Sequence, residues 1–157
     1  MKKDSSLKPV NRKCFIYART ACKEQVGVDK PIERQIRICS DYAKKNNFQV
    51  VKIYKDSGIS GNSTYRPKLT RMLDRCKMGK ANSFIVSSID RITRNSDEYF
   101  ELRKYLAKMG IRYYSATEEM RNGDSPEAQL SDAFLVLMRT YEMQLRNRKR
   151  LKIKNSN

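Results

Sequence analysis

The stretch CFIYARTACKEQ, Cys14 to Gln25, decides how the chain is read. Cys14-Phe15-Ile16-Tyr17-Ala18 is an apolar and aromatic run of strand length that breaks off at Arg19-Thr20. Three more runs share its composition: Val50-Val51-Lys52-Ile53-Tyr54, Ser83-Phe84-Ile85-Val86 and Ile111-Arg112-Tyr113-Tyr114. Between them the apolar residues recur at helical spacing: Ile32, Ile36, Cys39, Ala43; then Leu69, Met72, Leu73, Cys76; then Tyr99, Leu102, Leu106, Met109. Strands alternating with helices of this length predict an α/β fold, a mostly parallel central sheet flanked by helices. Loops that carry chemistry then gather at the carboxyl ends of the strands. YARTACKEQ leaves one such end; DSGISGNSTYR and SSIDRITRN leave two others.

A last helix is predicted from Ser125-Pro126, with Leu130, Phe134, Leu137, Met138, Tyr141 and Leu145 at helical spacing. At about 25 residues and about 1.5 Å per residue it outruns the sheet of a domain this small, and the excess is expected to meet a second subunit. RNRKRLKIK then puts six basic residues, Arg146, Arg148, Lys149, Arg150, Lys152 and Lys154, in nine positions, a density suited to phosphates. The expected organisation is a flexible basic segment over 1–13, a catalytic α/β core over 14–124, the long helix over 125–150 and a basic tail over 151–157.

The 157 residues suffice for one core and not for two ordinary domains. With 39% apolar and 32% charged residues, the chain has the composition of a folded soluble protein. No apolar run is long enough to span a bilayer, and MKKDSSLKPVNRK lacks the apolar segment of a secretory signal, so a cytoplasmic protein is expected. A net charge of +17 predicts a polyanionic partner, nucleic acid first; the basic residues are not gathered on one amphipathic helix, which disfavours a membrane surface. There is no histidine, and Cys14, Cys22, Cys39 and Cys76 form no C-x-x-C pair, so no metal site is expected.

Arg19 from the first loop, Arg66 from the second and Arg91 and Arg94 from the third are expected on one rim, with Asp90 beside them. Permanently charged guanidiniums that fork onto phosphate oxygens can hold a phosphodiester and stabilise its pentavalent transition state without a metal.

These residues carry a resemblance. Tyr17-Ala18-Arg19 followed by Gln25 resembles the first motif of the serine recombinases, the resolvase and invertase family, Tyr-x-Arg-x-Ser-x-x-x-Gln. Asp56-Ser57-Gly58-Ile59-Ser60-Gly61 with Arg66-Pro67 resembles the second motif, Asp90-Arg91-Ile92-Thr93-Arg94-Asn95 the third, and Gln35 matches a helix position where the family commonly has glutamine. The resemblance implies an enzyme that cleaves and rejoins DNA through a phosphoserine, without metal or cofactor. It also implies dimers that pair through residues 125–145 and form a tetramer in synapsis. It sets Arg19, Gln25, Arg66, Asp90, Arg91 and Arg94 around the nucleophile position. That position is Ala21, and a methyl group cannot attack phosphorus. Thr20 and Cys22 flank it, but neighbours in extended backbone point to opposite faces. The resemblance implies a helix-turn-helix after the long helix, whereas this sequence stops at Asn157, so either an excised catalytic domain or a short protein that binds DNA weakly through backbone charge is expected.

Overall fold

The computed structural model describes residues 12–21, 31–60, 63, 65–93, 96–118 and 126–155. Strand β1 (Arg12–Thr20) leads through helix α1 (Pro31–Lys45) to β2 (Phe48–Ser57), and α2 (Pro67–Lys77) leads to β3 (Ser83–Val86). A 3-10 turn (Ile89–Arg91) and α3 (Ser96–Lys108) lead to β4 (Arg112–Ser115), and α4 (Pro126–Asn155) closes the chain.

The sheet order is β2-β1-β3-β4, with every pairing parallel. β1 is central, and its residues from Cys14 to Thr20 are all buried, which is why its sequence is continuously apolar up to Arg19. Its side chains alternate between two cores. Phe15 and Tyr17 join Met72, Tyr99, Leu106 and Val136 from α2, α3 and α4; Cys14 and Ile16 join Cys39 and Ala43 of α1 on the other face.

From β1 the chain crosses outward to β2, and from β3 it crosses the opposite way to β4. The carboxyl ends of β1 and β3 therefore flank the point where the winding reverses, the crevice where open α/β sheets bind ligands. Gly58, at φ 73° directly after β2, takes a left-handed conformation that costs a side-chain-bearing residue more, and it turns the second loop across this end.

Two boundaries differ from expectation. β1 begins at Arg12, inside the segment read as flexible, and α4 runs on to Asn155, through most of the segment read as a tail. Lys and Arg are good helix formers, and nothing between Arg150 and Asn155 breaks a helix. Among the described residues no helix is long and apolar enough to cross a membrane.

Candidate active site

β3 pairs with β1 only as far as Tyr17, so beyond it the main chain of Arg19 has no strand beside it on that side. Gln35 of α1 supplies the missing partner. Its Oε1 accepts from the Arg19 N–H at 3.1 Å, and its Nε2 donates to the Arg19 carbonyl at 3.0 Å. A buried glutamine in the apolar stripe of α1 thus fixes the exit of the central strand, three residues after Ile32 and four before Cys39.

Arg19 is wholly buried. Its guanidinium donates to the carbonyls of Ile59 (2.8 Å), Asp90 (3.0 Å) and Arg91 (3.2 Å), tying the first loop to the second and third. This differs from the expected placement on an open rim: the fork lies beneath the surface and faces peptide oxygens. Thr20 is buried, whereas Ala21, the next residue, is exposed directly beyond the carboxyl end of β1.

On the second loop, Asp56 accepts from the Tyr17 hydroxyl at 3.0 Å and from the N–H groups of Lys68 (3.2 Å) and Leu69 (3.3 Å). Arg66 stands at the N-cap of α2 and provides no side-chain cap; the carboxylate arriving from β2 does so instead, where free N–H groups and the helix dipole favour an anion. Burial, and then Asp56, push the Tyr17 hydroxyl up, while Arg66 and Arg19 pull it the other way. Both cations therefore lie close enough to Tyr17 to act on it. The buried Arg66 also donates Nε to the Ser63 carbonyl at 3.0 Å.

On the third loop, Asp90 accepts from the Ser88 hydroxyl and pairs with Arg91 at 3.2 Å. Arg91 reaches the Arg19 carbonyl at 3.4 Å, and its Nε is buried without a hydrogen bond among the described residues. Arg91 lines a cleft of about 840 Å3, with Arg34 and Gln35 of α1, Asp90, and Arg139 and Arg146 of α4. Three arginines besides Arg91, namely Arg34, Arg139 and Arg146, thus line the cleft and make its wall basic. Among the described residues no three Cys, Asp or Glu side chains gather to hold a metal ion.

Arg19, Asp90 and Arg91 are thus joined directly, Arg66 is connected to them through Tyr17, and Gln25 and Arg94 lie outside the described residues. Of the basic run, Arg146, Arg148 and Lys149 are exposed on α4, with Arg146 also 3.6 Å from Glu142; Arg150, Lys152 and Lys154 lie on the same helix.

The profile of the family described as "Resolvase, N terminal domain" matches residues 14–156. The chain belongs to the resolvase family. A resolvase-like protein of Acanthamoeba polyphaga mimivirus is 26% identical over 152 residues, 97% of this chain and 73% of that protein. The transposon Tn501 resolvase of Pseudomonas aeruginosa is 34% identical over 84 residues, 52% of this chain and 44% of the resolvase. Among solved structures, the N-terminal catalytic domain of TP901-1 integrase superposes with a TM-score of 0.68 at 26% identity, covering 86% of this chain and 99% of that domain. A resolvase-family site-specific recombinase from Streptococcus pneumoniae shares the fold, with a TM-score of 0.64 at 20% identity over 94% of this chain and all of that one. The chain is therefore a resolvase-family catalytic domain.

Sequence reasoning named Asp56 as part of the second motif without its role, and missed Glu118 altogether. Asp56 caps a helix that begins eleven residues later, a relation no local pattern carries. Glu118, at the end of β4, is buried and accepts from the Ile89 N–H at 3.1 Å, from the Ser115 hydroxyl and from Arg139 Nε at 3.1 Å.

Proposed function

We propose that this chain engages a DNA phosphodiester in the crevice between β1 and β3, as a site-specific recombinase domain whose strand-cleaving step is disarmed at Ala21. The observation that carries the reading is the exposed Ala21 directly beyond the carboxyl end of β1, beside a loop system whose Arg91 lines the cleft and, among the described residues, keeps a buried Nε without a hydrogen bond. With a serine there, Oγ would bond to phosphorus as the bond to the 3′-oxygen breaks, the serine proton leaving to a base and the 3′-oxygen taking one up. Arg91 and Arg66 would offset charge gathering on the non-bridging oxygens, and Arg94 belongs to the same motif. Asp90 would hold the Arg91 fork, Arg19 would keep the three loops in register, and Gln25 completes the first motif. With alanine the anion site remains and the attack is lost.

The basic face of α4 from Arg146 to Lys154 suits duplex phosphates. The apolar residues Leu130, Phe134, Leu137, Met138, Tyr141 and Leu145, exposed along one helix, suit pairing with a second copy. Ala21 also favours a second reading, a non-catalytic regulator that binds DNA or pairs with an active relative.

The test compares the protein with Ala21→Ser on suicide DNA substrates carrying a related recombination site, scored as covalent adducts on a denaturing gel. Adducts from Ala21→Ser alone are expected. Adducts from the unaltered protein would show that another residue attacks, and none from either would favour the regulator.

A further inference from the structure

The loop after β4 holds the loop after β3 at two points. Thr117 Oγ1 donates to the Ser87 carbonyl at 2.8 Å, and Glu118 Oε2 accepts from the Ile89 N–H at 3.1 Å, one residue before Asp90 and two before Arg91. The other oxygen of Glu118 accepts from Arg139 Nε at 3.1 Å, and Arg139 also pairs with Glu142 at 3.0 Å. The Glu118 side chain is only 4% exposed, whereas that of Arg139 is 41% exposed. In the docked state Arg139 is thus the counter-charge of a buried carboxylate; if α4 withdraws, Glu118 loses that partner and must be resolvated or re-paired, which disturbs the bond it makes to the Ile89 N–H.

We infer that Glu118 is a positioning residue for the proposed site, coupling the docking of α4, through Arg139, to the turn that presents Arg91. The inference rests on the reading of Arg91 as a phosphate ligand. One carboxylate joins two elements that share no other function: the helix that carries the exposed apolar and basic faces, and the 3-10 turn that carries the site. Linkage makes the coupling reciprocal, so an anion held at Arg91 also favours the docked helix.

The test uses the full chain with inorganic phosphate as probe, read at the Arg91 Nε–H resonance, and amide hydrogen exchange at Ile89. Arg139→Met removes a positive charge from the cleft wall and Glu118→Leu removes a negative one. Simple electrostatics moves phosphate affinity in opposite directions in the two variants; positioning weakens it in both. About a fivefold loss in each is expected, the low end of typical couplings. In Arg139→Met, Ile89 exchange should accelerate by a similar factor while Ile16 and Ile85 in the sheet do not change, and Arg139→Lys should recover most of both effects. Opposite signs in the two variants overturn the inference. So does unchanged Ile89 exchange in Arg139→Met, a result available even where Glu118→Leu does not fold. An Arg91 resonance in the unaltered protein that ignores phosphate refutes the anion site itself, before any variant is compared.

Discussion

Replacing Arg19 with lysine separates a structural tie from a surface ligand. Lysine keeps the charge and about the same length but loses the planar fork that meets three carbonyls at 2.8, 3.0 and 3.2 Å. A single ammonium in that buried space leaves at least one of these oxygens without a donor. A hydrogen bond to a charged group contributes about 1.5–3 kcal/mol, so a loss of about 3 kcal/mol is expected. For a chain of this size each kcal/mol moves the melting temperature by about 2–4 °C, which predicts a fall of about 6–12 °C. Calorimetry checks it, with Arg37→Lys on the exposed face of α1 as the control. A fall below about 2 °C would refute the tie and return Arg19 to the open rim that its motif alone suggests.

Alkaline pH should weaken the fold. Burial pushes the thiols of Cys14 and Cys76 from 9.0 up to about 11, and burial with the neighbouring Cys14 pushes Cys39 to about 12. The unfolded thiols ionise first, so the stability they contribute is full below pH 9.0 and is lost as pH rises towards 12. Urea midpoints should fall steadily above about pH 9, and a flat profile to about pH 11 would contradict the burial of these thiols. The proposed self-association depends on residues that the folded chain leaves exposed, Phe134 at 63% and Tyr141 at 57%. Phe134→Glu with Tyr141→Glu should give a monomer by sedimentation with an unchanged melting temperature, and a dimer that persists would move the contact off this stripe.

The fold was legible where burial is two-sided. β1 and β3 are covered on both faces, so their apolar runs name themselves, and the helices between strands carry clear stripes. β2 is an edge strand with Val51 and Ile53 exposed, and it extends on both sides beyond the run Val50 to Tyr54 that its composition marks, into Phe48-Gln49 and Lys55 to Ser57. The far end of α4 was illegible because a solvated helix needs no apolar period to persist. In the site, the motif resemblance singles out Arg66, Asp90 and Arg91, and Gln35 by a helix position where the family commonly has glutamine; its two bonds to the Arg19 main chain are visible only in the fold. Motif spacing does not say which way a side chain turns, which is why Arg19 was placed on the rim. Glu118 gave no sign of itself, since the partners that tie it to the third loop and to α4 lie 29 residues before it and 21 after it.

Helix α4 has a mechanical consequence. Its 30 residues span about 45 Å, and among the described residues it is tied to the body of the domain by Asp132, which meets Arg103 at 2.6 Å, and by Arg139, which meets Glu118 at 3.1 Å. Asn155 lies about 24 Å beyond Arg139, so the helix is a lever with its fulcrum at the Glu118 carboxylate. A tilt of about 10° there swings the basic end sideways by about 4 Å, comparable to the roughly 3.4 Å of duplex axis per phosphate of one strand. A small rotation at the carboxylate is thus magnified into a displacement of several ångströms at the far end of the helix.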